Sequence, residues 1–260
     1  MLEPAALLEV RQLCKTYRRG KHTLRALSGV SFRMSAGEIV GLVGESGSGK
    51  STLLKCISGL ERATSGEVLF AGKPITHNSL CENGKLMQMV FQDASYSFDP
   101  RMKLRRSLEE PLKAMQKLGG TALREQCEEL ARQVGLDPAL LNRYPAQLSG
   151  GQCQRMAIAR ALVASPKLLL CDEATSALDV SAQAQTIRLL TELREKRGIS
   201  ILFVSHDLAV VGSFCDRVLV MQEGQVIEEG APQAVLARPA KDYTKQLAAS
   251  ALALNRAATR

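Results

Sequence analysis

At 260 residues with 45% hydrophobic content, the chain is long enough to bury one substantial core, or a core with a small attached lobe. No apolar run reaches the roughly 18 residues that a bilayer-crossing helix needs, which excludes a membrane-spanning segment. The formal net charge of +8 would suit nucleic acid or an anionic leaflet, but the basic residues are scattered without a block, so charge selects neither.

In chain order, β-branched runs predict strands over 8–14, 29–34, 39–43, 67–70, 87–91, 168–171, 200–204 and 217–221. Amphipathic stretches alternate with them, as in an α/β domain built around a sheet. Turn residues separate the strands at Ser35-Ala36-Gly37-Glu38 and at Ala71-Gly72-Lys73-Pro74. Glu223-Gly224 reads as a hairpin turn into 225–228, so the two ends of the sheet are expected to be partly antiparallel. From 107 to 162 the pattern changes to helix formers, broken at Gly119-Gly120, Asp137-Pro138 and Tyr144-Pro145. This predicts a helical lobe inserted between two halves of the sheet domain. Over 180–197, Ile187, Leu190 and Leu193 recur at helical spacing with Arg188, Arg194 and Arg197 turned elsewhere, predicting a core-packed helix. Residues 255–260 carry no apolar period and are expected to fray.

The seven cysteines, Cys14, Cys56, Cys81, Cys127, Cys153, Cys171 and Cys215, stand singly, as reduced thiols do. None of His22, His77 and His206 lies in metal-ligand spacing with a cysteine, which argues against a structural zinc. The opening residues carry Glu3, Pro4 and Glu9 where a secretory leader needs a basic start and an apolar run, so a cytosolic location is expected.

The strand over 39–43 runs into Gly44-Glu45-Ser46-Gly47-Ser48-Gly49-Lys50-Ser51-Thr52, which fits GxxxxGK[ST], and then into a helical stretch. Glycines let the backbone wrap phosphate oxygens, and the helix N-terminus adds roughly half a positive charge. Lys50 is placed to neutralise the β- and γ-phosphates, Ser51 to reach Mg²⁺ and Thr52 to bond a phosphate oxygen. A flexible glycine turn is the plain alternative, and the strand before and helix after argue against it.

A second element, Leu168-Leu169-Leu170-Cys171-Asp172-Glu173, delivers two carboxylates at a strand's C-terminal end, where open α/β sheets take ligands. Asp172 can hold magnesium through its water shell, and Glu173 can polarise an attacking water. Alone, the pair is equally explained by a surface turn; the upstream glycine loop favours catalysis. Leu148-Ser149-Gly150-Gly151-Gln152 opens a further helix and offers a second anion site. One γ-phosphate facing two phosphate sites implies two chains packed head to tail with ATP between them.

Together these motifs resemble the ATP-binding subunit of ABC transporters, over residues 7–250. The resemblance implies an α/β P-loop NTPase cassette with a RecA-like core over 7–92 and 163–237 and an antiparallel β subdomain. It also implies an inserted helical and signature lobe over 93–162 and a flexible tail over 251–260. It implies ATP and Mg²⁺ as cofactors, Tyr17 stacking on adenine, and Gln92 reaching magnesium and the attacking water. A strand-end aromatic and a loop amide remain the plain alternatives for those two residues. Asp179, in Ser176-Ala177-Leu178-Asp179, resembles the loop that communicates across the dimer. His206, in Ser205-His206-Asp207, resembles the γ-phosphate sensor, although a lone histidine after a strand is more often structural. Glu173 is then the base, and Ser149, Gly150, Gly151 and Gln152 cover the partner's nucleotide.

No long coiled coil is inserted, only one glycine loop and one signature occur, and no membrane domain is fused, a combination that resembles an importer subunit. Phe91-Gln92-Asp93-Ala94-Ser95-Tyr96-Ser97-Phe98-Asp99-Pro100-Arg101 is similar to the FQDP-x-x-SLNPR segment of the peptide/nickel branch. The run from Leu170 to Ser181 is similar to its CDEPVSALDVS, with Ala174 in place of proline, and Ala240 to Lys245 resembles its HPYT element. The cysteine-bearing C-terminal extension of many peptide-importing members is missing. The expected cargo is therefore nickel or a metal chelate, most like the second ATP-binding subunit of nickel importers, with di- or oligopeptides as the alternative. A nucleic-acid-directed ABC ATPase is the remaining class, disfavoured by the lack of a basic block or an aromatic platform. The implied partners are a second cassette, identical or sister, two permease subunits pushed by the segment 95–118, and indirectly a substrate-binding protein. The implied location is peripheral, on the cytoplasmic face of the inner membrane, without nucleic acid.

Overall fold

A computed structural model of the chain describes residues 6–20, 22–76, 84–176 and 178–258. Glu3, Pro4, His77, Cys81, Ala177 and the last two positions, on which parts of the reading above rest, lie outside the described residues. In chain order, β1 (Leu8–Arg19), β2 (His22–Met34), β3 (Ile39–Val43), α1 (Lys50–Ser58), β4 (Ser65–Phe70) and β5 (Lys73–Pro74) come first. They are followed by β6 (Met87–Val90), α2 (Leu104–Gln116), α3 (Gly120–Gln133), α4 (Gly150–Leu162), β7 (Leu168–Asp172) and α5 (Val180–Arg197). The chain then continues through β8 (Ser200–Val204), α6 (Leu208–Phe214), β9 (Arg217–Gln222), β10 (Gln225–Gly230), α7 (Pro232–Ala237) and α8 (Asp242–Ala258). Two compact units result, Met1–Asn83 with Ser200–Arg260, and Gly84–Ile199. Among the described residues, no helix is long and apolar enough to cross a membrane.

In the first unit, β3 lies between β8 and β9, parallel to both, and β10 returns antiparallel to β9. Every residue of β3 and β8 is buried, the pattern of parallel strands covered on both faces. Glu223 and Gly224 both have positive φ, 46° and 76°, matching the type I′ geometry that follows the strand twist. A separate antiparallel sheet has the order β2-β1-β4-β5. The antiparallel strands of the N-terminal part therefore form their own sheet rather than one end of the parallel one. Strands β1 and β2 also exceed the predicted 8–14 and 29–34, closing a hairpin at Arg19↔His22. Their outer halves are polar and without alternation, and backbone pairing through register shifts near Leu13 and Lys15 holds them.

In the second unit, β6 and β7 pair in parallel from Met87↔Leu168 to Val90↔Cys171. Helix α2 opens at Leu104 rather than at 107, because its apolar face of Leu104, Leu108 and Leu112 begins one turn earlier. Short 3-10 turns occupy Pro138–Asn142 and Pro145–Gln147, at the two expected proline breaks. On α5 the buried residues are Thr186, Leu189, Leu190 and Leu193, while Ile187 is only half-buried. The buried stripe is thus rotated from the predicted one; Thr186 can enter it because its hydroxyl donates to the Ala182 carbonyl at 2.9 Å. Helix α8 extends through Ala258. Alanine-rich composition favours the helix there without any apolar period.

Candidate active site

The phosphate loop belongs to the first unit, where β3 ends and α1 begins. Gly44, Gly47 and Gly49 have φ of 151°, 83° and 105°, a backbone that L side chains rarely adopt. A Cβ at Gly44 would strike the carbonyl oxygen of Met221, and one at Gly49 would lie 2.5 Å from that of Ala26. The loop is thus pressed between β9 and β2, and two of its glycines are required sterically. The hairpin turn joins this contact, because the Gly224 amide donates to the Ser48 carbonyl at 2.9 Å while its carbonyl accepts from Ser28 at 2.8 Å.

Lys50 is 6% exposed, and its ammonium donates to the carbonyls of Gly44 and Glu45, each at 2.8 Å, and to Ser48 Oγ at 3.4 Å. The ammonium is therefore bonded to oxygens of the loop itself, where a phosphate can offer charge-assisted bonds in their place. Helix α1 has no side-chain N-cap and no acidic residue in its first turn, so neither of these neutralises its positive end. Ser51 is exposed and Thr52 half-buried in that same turn.

Tyr17 lies within β1, opposite Leu24, rather than at a strand end. Its hydroxyl donates to Glu61 at 2.6 Å, and the Lys15 ammonium sits 4.8 Å from its ring centroid and 3.0 Å from the same carboxylate. Burial, reinforced by the Glu61 carboxylate, pushes the Tyr17 hydroxyl up to about 12, so the residue is a neutral donor. The same hydroxyl also interacts with the Thr52 side chain, which ties Tyr17 to α1. Lys15 and Glu61 escaped the sequence reading; they are 46 positions apart (61 − 15) and no local pattern pairs them.

His206 is exposed, two residues beyond Val204, and Val204 pairs with Leu42 two residues before Gly44. The histidine and the phosphate loop therefore leave the same edge of neighbouring parallel strands. Ser205 Oγ accepts the Asp207 amide at 3.0 Å, and Asp207 caps α6 through the amides of Ala209 and Val210. That turn fixes the backbone on both sides of His206.

In the second unit, Gln92 and Glu173 each stand two residues beyond the paired Val90 and Cys171. The structure thus brings Gln92, Asp172 and Glu173 to one strand edge. Asp172 is 8% exposed, Glu173 half-buried and Gln92 exposed. Glu173 adopts a φ of +48°, an uncommon left-handed conformation for a glutamate. Its carbonyl accepts both the amide and the hydroxyl of Ser176, at 3.1 and 3.0 Å, which locks the turn. Behind the pair, burial and the Asp172 charge push the Cys171 thiol up to about 12, leaving it an inert core residue.

The signature turn opens α4 with a capping box. Ser149 Oγ accepts the Gln152 amide at 3.3 Å, and Gln152 Oε1 accepts the Ser149 amide at 3.1 Å. Two of its amides are therefore already satisfied. What the turn retains for an anion is the Gly150 and Gly151 backbone, with the Ser149 hydroxyl proton. Asp179 caps α5 by accepting the Ala182 amide at 2.8 Å. The N-termini of α4 and α5 meet directly, because a Cβ at Gly151 would lie 2.7 Å from that of Ala182. Ser149, Gly150, Gly151, Gln152 and Asp179 are thereby gathered in one place.

A strand, glycine loop and helix beside an exposed histidine in the first unit, and an Asp-Glu strand end and a capped Ser-Gly-Gly-Gln turn in the second, define a P-loop ATPase of the cassette class. The family model for ABC transporters matches residues 27–176, and the chain belongs to that family. It is an ATP-binding ATP hydrolase coupled to transmembrane transport. The oligopeptide transport ATP-binding protein OppF of Haemophilus influenzae is 48% identical over 229 residues, covering 86% of this chain and 69% of the relative. A putative peptide import ATP-binding protein of Brucella ovis is 44% identical over 245 residues, covering 93% and 77%. Among solved structures, a dimeric post-hydrolysis state of the cassette MJ0796 bound to ADP and Pi superposes with a TM-score of 0.79 at 32% identity, covering 86% of this chain and 98% of that one. CbiO1 of Clostridium perfringens, part of the ABC transporter complex cbiONQ, also gives 0.79, at 31% identity and with 90% and 92% covered.

Proposed function

We propose that the chain powers an importer of di- or oligopeptides by hydrolysing ATP in a head-to-tail pair of cassettes. The observation that carries the chemistry is the Lys50 loop, where a buried ammonium donates to the Gly44 and Glu45 carbonyls at the start of α1, a helix without a side-chain N-cap. The cargo reading draws on the two peptide-transport relatives, which support the peptide alternative over the nickel or metal-chelate preference. Permease subunits, a second cassette and a peripheral position at the membrane follow from the same kinship.

In this reading Lys50 exchanges the Gly44 and Glu45 carbonyls for the β- and γ-phosphates, and the amides of α1 hold the phosphate oxygens. Tyr17 offers its ring to the adenine, with its hydroxyl kept out of the way by Glu61. The donors Ser51, Gln92 and Asp172 present oxygens of the kind a hard cation takes, and Mg²⁺ held by them would offset phosphate charge. Glu173 accepts a proton from the water that attacks the γ-phosphoryl group as ADP leaves, and Gln92 and His206 orient that water and the phosphate. The Ser149 turn of the partner chain covers the nucleotide, and Asp179 holds the neighbouring helix start in register with it.

Glu173→Gln tests the base: ATP binding is retained, turnover falls by at least ~100-fold, and a nucleotide-loaded dimer accumulates on size exclusion. Wild-type turnover by this variant would refute the assignment. For the cargo, deletion of the gene should abolish labelled oligopeptide uptake and leave nickel uptake intact; the reverse pattern restores the metal reading.

A further inference from the structure

We propose that Tyr243, on the C-terminal helix α8, is a positioning residue that fastens the phosphate loop in its nucleotide-accepting shape. The Glu45 amide donates to the Tyr243 hydroxyl at 2.9 Å, across 198 positions of chain. The Glu45 carbonyl meanwhile accepts from the Lys50 ammonium at 2.8 Å. One peptide unit of the loop is therefore gripped from both ends. The two grips differ in what nucleotide binding does to them. Lys50 must release the carbonyl to meet a phosphate, whereas nothing in that exchange requires Tyr243 to let go of the amide. Glu45 also sits between Gly44 and Gly47, whose φ values of 151° and 83° are ones that glycine readily adopts among many others in the unconstrained chain. Without an outside anchor, ordering that segment around a phosphate would cost conformational entropy at the moment of binding.

The anchor itself is built into the fold. Glu228 on β10 accepts the amides of Ala240 and Lys241 at 2.8 and 3.2 Å, which pins the chain just before α8. Thr244, next to the tyrosine, is fully buried. Strand β10 pairs with β9, and β9 pairs with β3, the strand that delivers the loop. The clamp and the loop it holds therefore hang from one set of strands. Tyr243 is half-buried, which pushes its pKa up and keeps the hydroxyl neutral.

This inference rests on the reading of the Lys50 loop as the nucleotide site, so the test separates the two. Binding of a fluorescent ADP analogue is measured for the full chain, for Tyr243→Phe and for Lys50→Ala, together with melting temperature and exchange of the Glu45 amide. Tyr243→Phe removes only the hydroxyl. Its dissociation constant and its KM for ATP should rise about five-fold, the worth of one net hydrogen bond, with kcat unchanged. The Glu45 amide should exchange faster, while the amides of β3 and the melting temperature stay as in the wild type. Wild-type affinity in Tyr243→Phe with the expected loss in Lys50→Ala would overturn the clamp alone. A loss of affinity accompanied by a lower melting temperature would assign the tyrosine to general stability and overturn it too. Equal binding by wild type and Lys50→Ala would sink the nucleotide-site reading and the clamp with it.

Discussion

Gly151→Ala isolates what the contact between the N-termini of α4 and α5 does. The added methyl would fall 2.7 Å from Ala182 Cβ, against the roughly 3.5–4.0 Å that carbon pairs prefer. Helix α4 must therefore retreat from α5 by about 1 Å at the signature turn. Gly151 is helical and lacks a positive φ, so no backbone strain accompanies the change, and alanine's helix propensity works in its favour. The net effect is overpacking, about 1–3 kcal/mol less stable, reduced by the roughly 1 kcal/mol that alanine gains over glycine in a helix. Ala182→Gly should cost up to about 1 kcal/mol alone by the same propensity, and combining the two should relieve the clash. Denaturant unfolding of the four proteins, with ATPase rates alongside, measures the coupling. The double variant should recover stability relative to Gly151→Ala and should regain hydrolysis in the same order. If the two costs simply add, the close approach is not what requires glycine, and the argument fails. If stability recovers and hydrolysis does not, the turn's amides rather than its spacing set the rate.

Two other changes probe the nucleotide half. Glu61→Ala removes the acceptor of the Tyr17 hydroxyl and the partner of Lys15; KM for ATP should rise about three-fold, the worth of a partly exposed pair, with kcat unchanged. An unchanged KM would show that the ring's pose does not depend on Glu61. Glu228 titrates below its ordinary 4.5: burial opposes this, but the Ala240 and Lys241 amides that it accepts help to outweigh it. A depressed folded value contributes stability above the unfolded one and loses it as pH falls through the folded one. Exchange protection in the first turns of α8 should therefore exceed that of Glu228→Gln at neutral pH, and the difference should shrink as pH falls below the ordinary glutamate range and vanish once the folded carboxylate is protonated. A difference that persists into acid would remove the carboxylate from the anchor.

Relatives and fold agree on an ATP-driven transport subunit, and the physical economy of the site is consistent with that. In the first unit the fixed parts are backbone, the glycine loop and the uncapped start of α1, and in the second unit the capped start of α4. Such preorganised dipoles need little rearrangement as charge moves on the phosphoryl group. His206 and Gln92, to which the proposed mechanism assigns contact with the nucleotide, are exposed beyond strand ends.

Much of this was legible in the residues alone, because it depends on neighbours along the chain. Strands β3 and β8 are continuous apolar runs, the phosphate loop is one contiguous motif, and the Glu223-Gly224 turn needs only its own two residues. Tertiary structure decided everything that joins distant segments: the Tyr17–Glu61–Lys15 cluster, Tyr243 on the Glu45 amide, and the contact of Gly151 with Ala182. It also decided that polar residues beyond Lys15 remain in a strand and that Thr186 turns inward on α5. The reason is physical: periodicity records which face of an element meets an apolar core, whereas a hydrogen bond or a van der Waals contact between remote residues exists only once the chain has closed around it.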